Sequence, residues 1–378
     1  MGGGSGGHVT PVLAVIDELA RRHPSVDIRF WCDRGFLPQS QAVMKRALVE
    51  VKVEKIIAGK VRRYHNIGFL KQLIDFPTVA RNFFDLFLIV IGFAQSFFKL
   101  LMWRPSVVFC KGGFVCLPVG YAARLLGIPL VIHDSDAHPG LTNRLLARSA
   151  RLIGTGAPLE YYNYPITKTH YVGIPVKPEF REQNAAEKAH VKHLFHLQSN
   201  KPLVVVTGGG LGAKRINDAL VAIAPELIKH VSVFHLSGTR QYDELKNKLP
   251  TADNYKLKAF LSDHFAQLIG AADIVISRAG ASAMAELAAA GACVMIVPNG
   301  QLTGGQQLKN AKIYLDAGAA ELADELIFKD NPQLLLKQIT DLLANGKKRH
   351  TLSSNLYKLA KPDAAQQMAN LIEQAGKL

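Results

Sequence analysis

PLVVVTGGGLGAKRINDALVAIAPELI, residues 202–228, reads as a strand, a glycine-rich turn and a helix in direct succession. Leu203, Val204, Val205 and Val206 show no polar alternation, the pattern of a parallel strand covered on both faces. Gly208, Gly209, Gly210 and Gly212 leave backbone N–H groups open toward the start of the next helix, where an anion is favoured. The chain opens on the same device: MGGGSGGH, residues 1–8, runs directly into VTPVLAVIDELARR. Thr10 is expected to be its N-cap and Pro11 its first helical residue. Val12, Leu13, Ile16, Leu19 and Ala20 supply an apolar face, and His8 stands at the rim of the anion site as a general-base candidate. No strand precedes this first loop, although a doubly wound sheet places one there at its centre. The expectation is therefore a fold without its first strand, through a start written downstream of the natural one or through true truncation.

Outward from these two loops, strand-like runs alternate with helical ones. Residues 26–33, 49–56, 105–113, 128–136, 151–156 and 170–176 form one set, and 177–201 is a polar joint. After the joint, 202–210, 231–238, 255–261, 272–280 and 292–299 form a second set. The fold class is α/β, with two Rossmann-like doubly wound domains, residues 1–176 and 177–354, facing a cleft. Ligands of such sheets bind at strand C-terminal ends, which is where the glycine turns fall.

Composition removes several classes. A charged fraction of 20% against 48% hydrophobic residues describes a globular chain, and 378 residues suit two cores. Cys32, Cys110, Cys116 and Cys293 form no CxxC pair, which suggests a reducing compartment and no zinc site. The N-terminus lacks a secretory leader pattern. A net charge of +15 calls for an anionic partner, yet no nucleic-acid-binding motif is present. Lys60, Arg62, Arg63, Lys71 and Arg81 lead into the most hydrophobic stretch, residues 81–103. Asp85, Gln95, Ser96 and Lys99 interrupt it, so it falls short of the ~20 clean apolar residues of a spanning helix. Two readings stand for it: a buried helix, or one whose exposed aromatic face dips into an anionic membrane surface.

SRAGASAMAELAAAG, residues 277–291, places Ser282 as a helix cap and Glu286 as that helix's one charged side chain. Glu286 either complements the helix dipole or accepts both hydroxyls of a ribose while the helix start faces a phosphate. Asp134 and Asp136 in HDSD could hold a hard cation, but their place at the end of a first-domain strand favours orienting groups in the cleft. Thr142 and Asn143 follow as polar candidates. Lys111, Gly112 and Gly113 make a further strand-end turn, read equally as a phosphate seat or as an ordinary βα turn. GxGxxG-like spacings at Gly2, Gly4, Gly7 and at Gly208, Gly210, Ala213 leave a dinucleotide reading open for the first loop, where Asp33 ends the next strand.

GGGSGGHVTPVLAV, KGGFVCLPVG, IHDSDAHPGLTNRLLA, VGIPV, TGGGLGAKRIN, SRAGASAMAELAAAG and GQQLKNA occur in that order, and with them nearly the whole chain resembles the MurG family. These are UDP-N-acetylglucosamine: undecaprenyl-pyrophosphoryl-MurNAc-pentapeptide transferases of peptidoglycan synthesis, with the GT-B fold. The resemblance implies an inverting N-acetylglucosamine (GlcNAc) transferase on the cytoplasmic face of the cell membrane, peripherally bound, using UDP-GlcNAc and lipid I, with no metal or cofactor. It implies His8 as base and Asp134, in place of the family's glutamate, as the other catalytic residue. Ser5, Gly6 and Gly7 face a diphosphate, and Asp136 and Asn143 are expected to bind substrate in the same domain. Leu261 holds uracil through its backbone, Ala281, Ser282 and Ala283 meet the donor phosphate, and Glu286 meets the ribose. Gln306 and Gln307 bind the sugar hydroxyls. Lys177 and Gly210 stand where the family has Arg and Ser. It also implies that residues 355–378 pack back on the first domain. The alternatives are a GT-B enzyme for another lipid such as diacylglycerol, and a non-catalytic lipid-carrier-binding protein.

Overall fold

The computed structural model describes residues 1–3, 6–60, 76–210, 212–261, 263–300 and 305–378. Ser5, Arg62, Arg63 and Lys71 lie outside the described residues. The chain forms two compact units, Met1–Val176 with Lys361–Leu378, and Lys177–Ala360.

In the first unit, α1 (Thr10–Arg22) leads to β1 (Ile28–Cys32), α2 (Leu37–Met44) and β2 (Val51–Lys55), with Ile28 opposite Val51 in a parallel pair. After α3 (Phe76–Trp103) come β3 (Val108–Cys110), α4 (Cys116–Leu125), β4 (Leu130–Asp134), α5 (Leu141–Leu146), β5 (Leu152–Thr155) and β6 (Thr169–Tyr171). The strands β3 to β6 make a second parallel sheet in that order. Residues 1–3 bridge the two sheets. The Gly2 N–H donates to Trp31 O at 3.4 Å, the Met1 amino group donates to Phe109 O at 2.8 Å, and the Lys111 N–H donates to Met1 O at 3.0 Å. The central position is thus held by residues 1–3, and strand order reverses between them and β3, a topological switch point.

Thr10 is the first helical residue and not the cap. The 3₁₀ turn Gly6–His8 already winds the chain into the helix, and Val9 takes the cap position with helical backbone. The helix α3 is long and apolar enough to cross a membrane by length and composition. One face is nevertheless fastened to the unit: Asp85 accepts from the Lys60 N–H at 3.1 Å, Gln95 accepts from the Ile57 N–H at 2.8 Å, and Lys99 pairs with Glu54. Leu100 and Ser96 are buried on that face. The other carries Phe83, Phe87, Val90, Phe98 and Leu101 into the open, with Phe83 77% exposed. Its polar interruptions therefore serve the packed face.

The second unit runs α6 (Ala185–Leu194), β7 (Leu203–Thr207), α7 (Lys214–His230), β8 (Ser232–Leu236), α8 (Tyr242–Lys246), β9 (Tyr255–Lys258), α9 (Phe265–Ala271) and β10 (Ile274–Ser277). It continues with α10 (Ala281–Ala289), β11 (Val294–Ile296), α11 (Gln306–Asp316), β12 (Glu321–Leu322), α12 (Glu325–Phe328), α13 (Pro332–Ala344) and α14 (Gly346–Lys358). All pairings are parallel, in the order β12-β11-β10-β7-β8-β9. This is the doubly wound order, with its switch point between β7 and β10. Val204 and Val206 enter one core and Leu203 and Val205 the other, which is why β7 carries no polar alternation.

The last helix, α15 (Ala364–Gly376), belongs to the first unit. Met368, Leu371 and Ile372 pack on Val131 and Leu152, and Glu373 accepts from Arg22 at 2.8 Å. The return begins at Lys361 and not at 355, because Leu356 is buried in a core of the second unit.

Candidate functional site

Glycine turns stand at both switch points. In the first unit, the Nδ1 of His8 lies 2.7 Å from Gly3 O. A carbonyl only accepts, so Nδ1 carries the proton and Nε2 the lone pair. Facing it is the turn after β3. Gly113 has φ +87°, and a Cβ there would come within 2.3 Å of Gly3 O, so the two turns approach as closely as glycine permits. A Cβ on Gly112 would point between Asn143 Nδ2, at 3.5 Å, and His8 Nε2, at 3.6 Å. His8, Gly112 and Asn143 thereby converge.

Lys111 extends beneath this turn, 1% exposed, and donates to Ser135 Oγ. Burial pulls its pKa down to about 8, against the raising effect of Asp134 and Asp136. The His8 pKa is lowered by burial first and by the Lys111 charge second, so the neutral ring is favoured. Asp134 is buried and accepts from Tyr164 Oη at 2.7 Å and from the Gly140 N–H at 3.2 Å. Desolvation lifts its pKa to about 6 although the Tyr164 bond opposes this. Its carboxylate thus holds the turn leading into α5, and Asn143 Nδ2 donates to His133 O at 3.1 Å. Asp136 is half-buried and receives Tyr162 Oη on its backbone carbonyl at 2.9 Å. Gly6 and Gly7 lie in the 3₁₀ turn that carries His8.

In the second unit, Gly212 has φ +84°, and a Cβ there would meet Ser237 O at 2.1 Å, so glycine closes the turn onto the end of β8. At Gly210, and at Gly280 beside α10, a Cβ would meet nothing within 4 Å among the described residues. Gly280, not Ser282, is the N-cap of α10; having no side chain, it makes no capping bond. Ala281, Ser282 and Ala283 form the first turn, where backbone N–H groups favour an anion. Glu286 sits one turn on, half-buried, and desolvation with Glu179 as the lesser cause raises its pKa to about 8.

Gln306 and Gln307 open α11. The Oε1 of Gln307 accepts from the Asn299 N–H at 2.8 Å, which occupies that oxygen and directs the amide nitrogen elsewhere. Leu261 follows β9 beside the exposed Phe260, and Lys177 is the first residue of the unit. Sequence reasoning gave no role to Tyr164, Arg215, Arg278, Asn310 or Glu325. Their partners are reached only through the fold, and the signal available was that Arg215, Arg278 and Asn310 lie inside the motifs at 207–217, 277–291 and 305–311.

The glycosyltransferase family 28 N-terminal domain matches residues 1–155 and the family's C-terminal domain matches residues 203–368. A UDP-N-acetylglucosamine--N-acetylmuramyl-(pentapeptide) pyrophosphoryl-undecaprenol N-acetylglucosamine transferase of Clostridium kluyveri is 31% identical, covering 98% of this chain and 97% of that protein. The protein of the same name from Lachnospira eligens is 32% identical over 100% of this chain and 98% of its own. Among solved structures, Acinetobacter baumannii MurG superposes with a TM-score of 0.69 at 25% identity, covering 98% of each chain. A UDP-GlcNAc 2-epimerase from Neisseria meningitidis superposes at 0.65 with 12% identity, covering 98% of each chain, a likeness of fold alone. With both halves of the fold matched and relatives above 30% identity over its full length, this chain belongs to the MurG family of glycosyltransferases.

Proposed function

We propose that the protein transfers GlcNAc from UDP-GlcNAc to lipid I with inversion at the anomeric carbon. The reading is supported within each unit taken by itself: in the first by His8, its neutral ring bonded through Nδ1 to Gly3 O, and in the second by a helix start without a side-chain cap, one turn before Glu286. The acceptor hydroxyl oxygen bonds to the anomeric carbon as that carbon's bond to the UDP phosphate oxygen breaks. His8 Nε2 takes the hydroxyl proton. Charge gathering on UDP is met by the first-turn N–H groups of α10 and by Lys177, a point charge where the family's guanidinium would offer a fork. Ser5, Gly6 and Gly7 hold the acceptor's diphosphate, with Asp136 and Asn143 beside it and Asp134 holding their turn. Leu261 reads uracil through its backbone, Gly210 lets the donor approach closely, and Gln306 and Gln307 serve the sugar. Radiolabelled GlcNAc is expected to appear in a lipid I analogue. Saturable UDP-GlcNAc binding without product, or product on diacylglycerol alone, overturns the reading.

The acceptor's lipid requires the enzyme at the membrane, and the exposed face of α3 suits the cytoplasmic leaflet. Phe83, Phe87, Val90 and Phe98 form a single apolar stripe on a chain of net charge +15, with Arg81 at its start. Phe83→Ser with Phe87→Ser is expected to reduce sedimentation with anionic vesicles by about tenfold, the loss of two exposed aromatic side chains that would enter the membrane interface being partly offset by residual charge attraction. Equal sedimentation of variant and wild type would remove this face from membrane binding.

A further inference from the structure

We infer that Glu325 is a positioning residue for the nucleotide-sugar donor, setting the spacing of the two turns at the second unit's switch point through Arg215 and Arg278. The inference rests on the reading of those turns as the seat of the donor's phosphates. Glu325 opens α12 and is 3% exposed. Its Oε1 accepts from Arg215 Nη1 at 2.5 Å and its Oε2 from Arg278 Nη1 at 2.5 Å. Arg215 is the second residue of α7, immediately past the Gly208–Gly212 turn. Arg278 follows the last residue of β10 and stands two residues before the cap of α10. One carboxylate therefore joins the elements that follow β7 and β10, the two strands flanking the switch point.

The β10–α10 turn is gripped from two further directions. Arg278 Nη1 also donates to Val297 O at 2.9 Å, and Asn310 Nδ2, from α11, donates to Ala279 O at 3.1 Å. Two charge-assisted bonds to one carboxylate fix both guanidinium groups more tightly than neutral bonds would. Stability alone is a poor reason for such a cluster, since well-packed apolar residues serve a buried site as well or better. Registry is a sufficient reason. A phosphate held by backbone N–H groups from two turns needs their separation constant to a fraction of an ångström. The cluster also carries one net positive charge behind a site proposed for a diphosphate. Arg278 has a side chain only 11% exposed, so it acts through the backbone it holds and not by touching the donor.

The test uses the full chain, with UDP and UDP-GlcNAc binding by titration calorimetry and steady-state transfer with donor and acceptor varied separately. Glu325→Gln keeps the shape and removes the charge. It is expected to weaken UDP binding and raise donor KM about tenfold, with acceptor KM within about twofold of wild type. Should that variant not fold, Arg215→Met keeps the Arg278 pair and decides the matter, with donor KM expected to rise roughly threefold. A purely structural brace would lower Tm and leave donor binding unmoved. Folded variants that bind UDP as wild type does overturn the positioning role alone. Wild-type protein that binds no UDP-GlcNAc overturns the donor site, and this inference with it.

Discussion

Replacing His8 by alanine is expected to lower kcat by ~10²–10⁴-fold while donor and acceptor KM stay within a few-fold. A general base acts in the transition state, so its loss falls on kcat. The Nδ1 proton is committed to Gly3 O, which puts the lone pair on Nε2, the atom proposed to take the acceptor's proton. Burial and then the Lys111 charge lower the ring's pKa from its ordinary value of 6.5. A base works only unprotonated, so wild-type activity should hold level through neutral pH and decline as pH falls through that lowered value. Asp134, raised to about 6, titrates on the same acid limb, and its protonation weakens its hold on the Gly140 turn. The pH profiles of kcat for wild type and His8→Ala provide the check. An alanine variant with full activity and an unchanged acid limb would assign the proton to another group.

Glu286→Ala is expected to weaken UDP binding by ~10²–10³-fold, the loss of two charge-assisted hydrogen bonds to the ribose hydroxyls. A pH signature accompanies it. In the ligand-free protein desolvation holds this carboxyl near a pKa of about 8, so at pH 7 it is mostly protonated. Two hydroxyls donating to the carboxylate favour the charged form and lower the pKa in the complex. Binding at pH 7 should therefore release a proton, and affinity should rise with pH and level off above about 8. Calorimetry in two buffers of different ionisation enthalpy measures the proton directly. Glu286→Gln cannot titrate and should show neither effect. If wild-type enthalpies are the same in both buffers, Glu286 is not the group that meets the ribose.

Much of the fold was legible because its code is local. The uniform apolarity of Leu203 to Val206 marks a strand buried on both faces, and each glycine run marks a turn before a helix. The edges of elements were less legible. Thr10 has the chemistry of an N-cap, yet the 3₁₀ turn before it decides where the helix begins. Ser282 has it too, but the helix already begins at Ala281, four residues past the end of β10, so the cap falls on Gly280 and Ser282 lies inside the first turn. The stretch 81–103 showed polar interruptions without showing that Asp85, Gln95 and Lys99 share the packed side of one helix.

From its sequence alone this protein is an alternating α/β chain with two phosphate-type turns, a histidine beside the first and a glutamate one helical turn past the start of α10. Those features depend on residues within a few positions of one another, where backbone geometry translates spacing directly into shape. The tertiary structure alone decided what surrounds them. Lys111 meets Ser135 beneath the His8 turn, Tyr164 holds Asp134, and Glu325 joins Arg215 and Arg278 across 110 and 47 residues of sequence. Buried charges and orphan donors must find partners wherever the packed chain brings them, and strand order, not sequence distance, determines which groups arrive together.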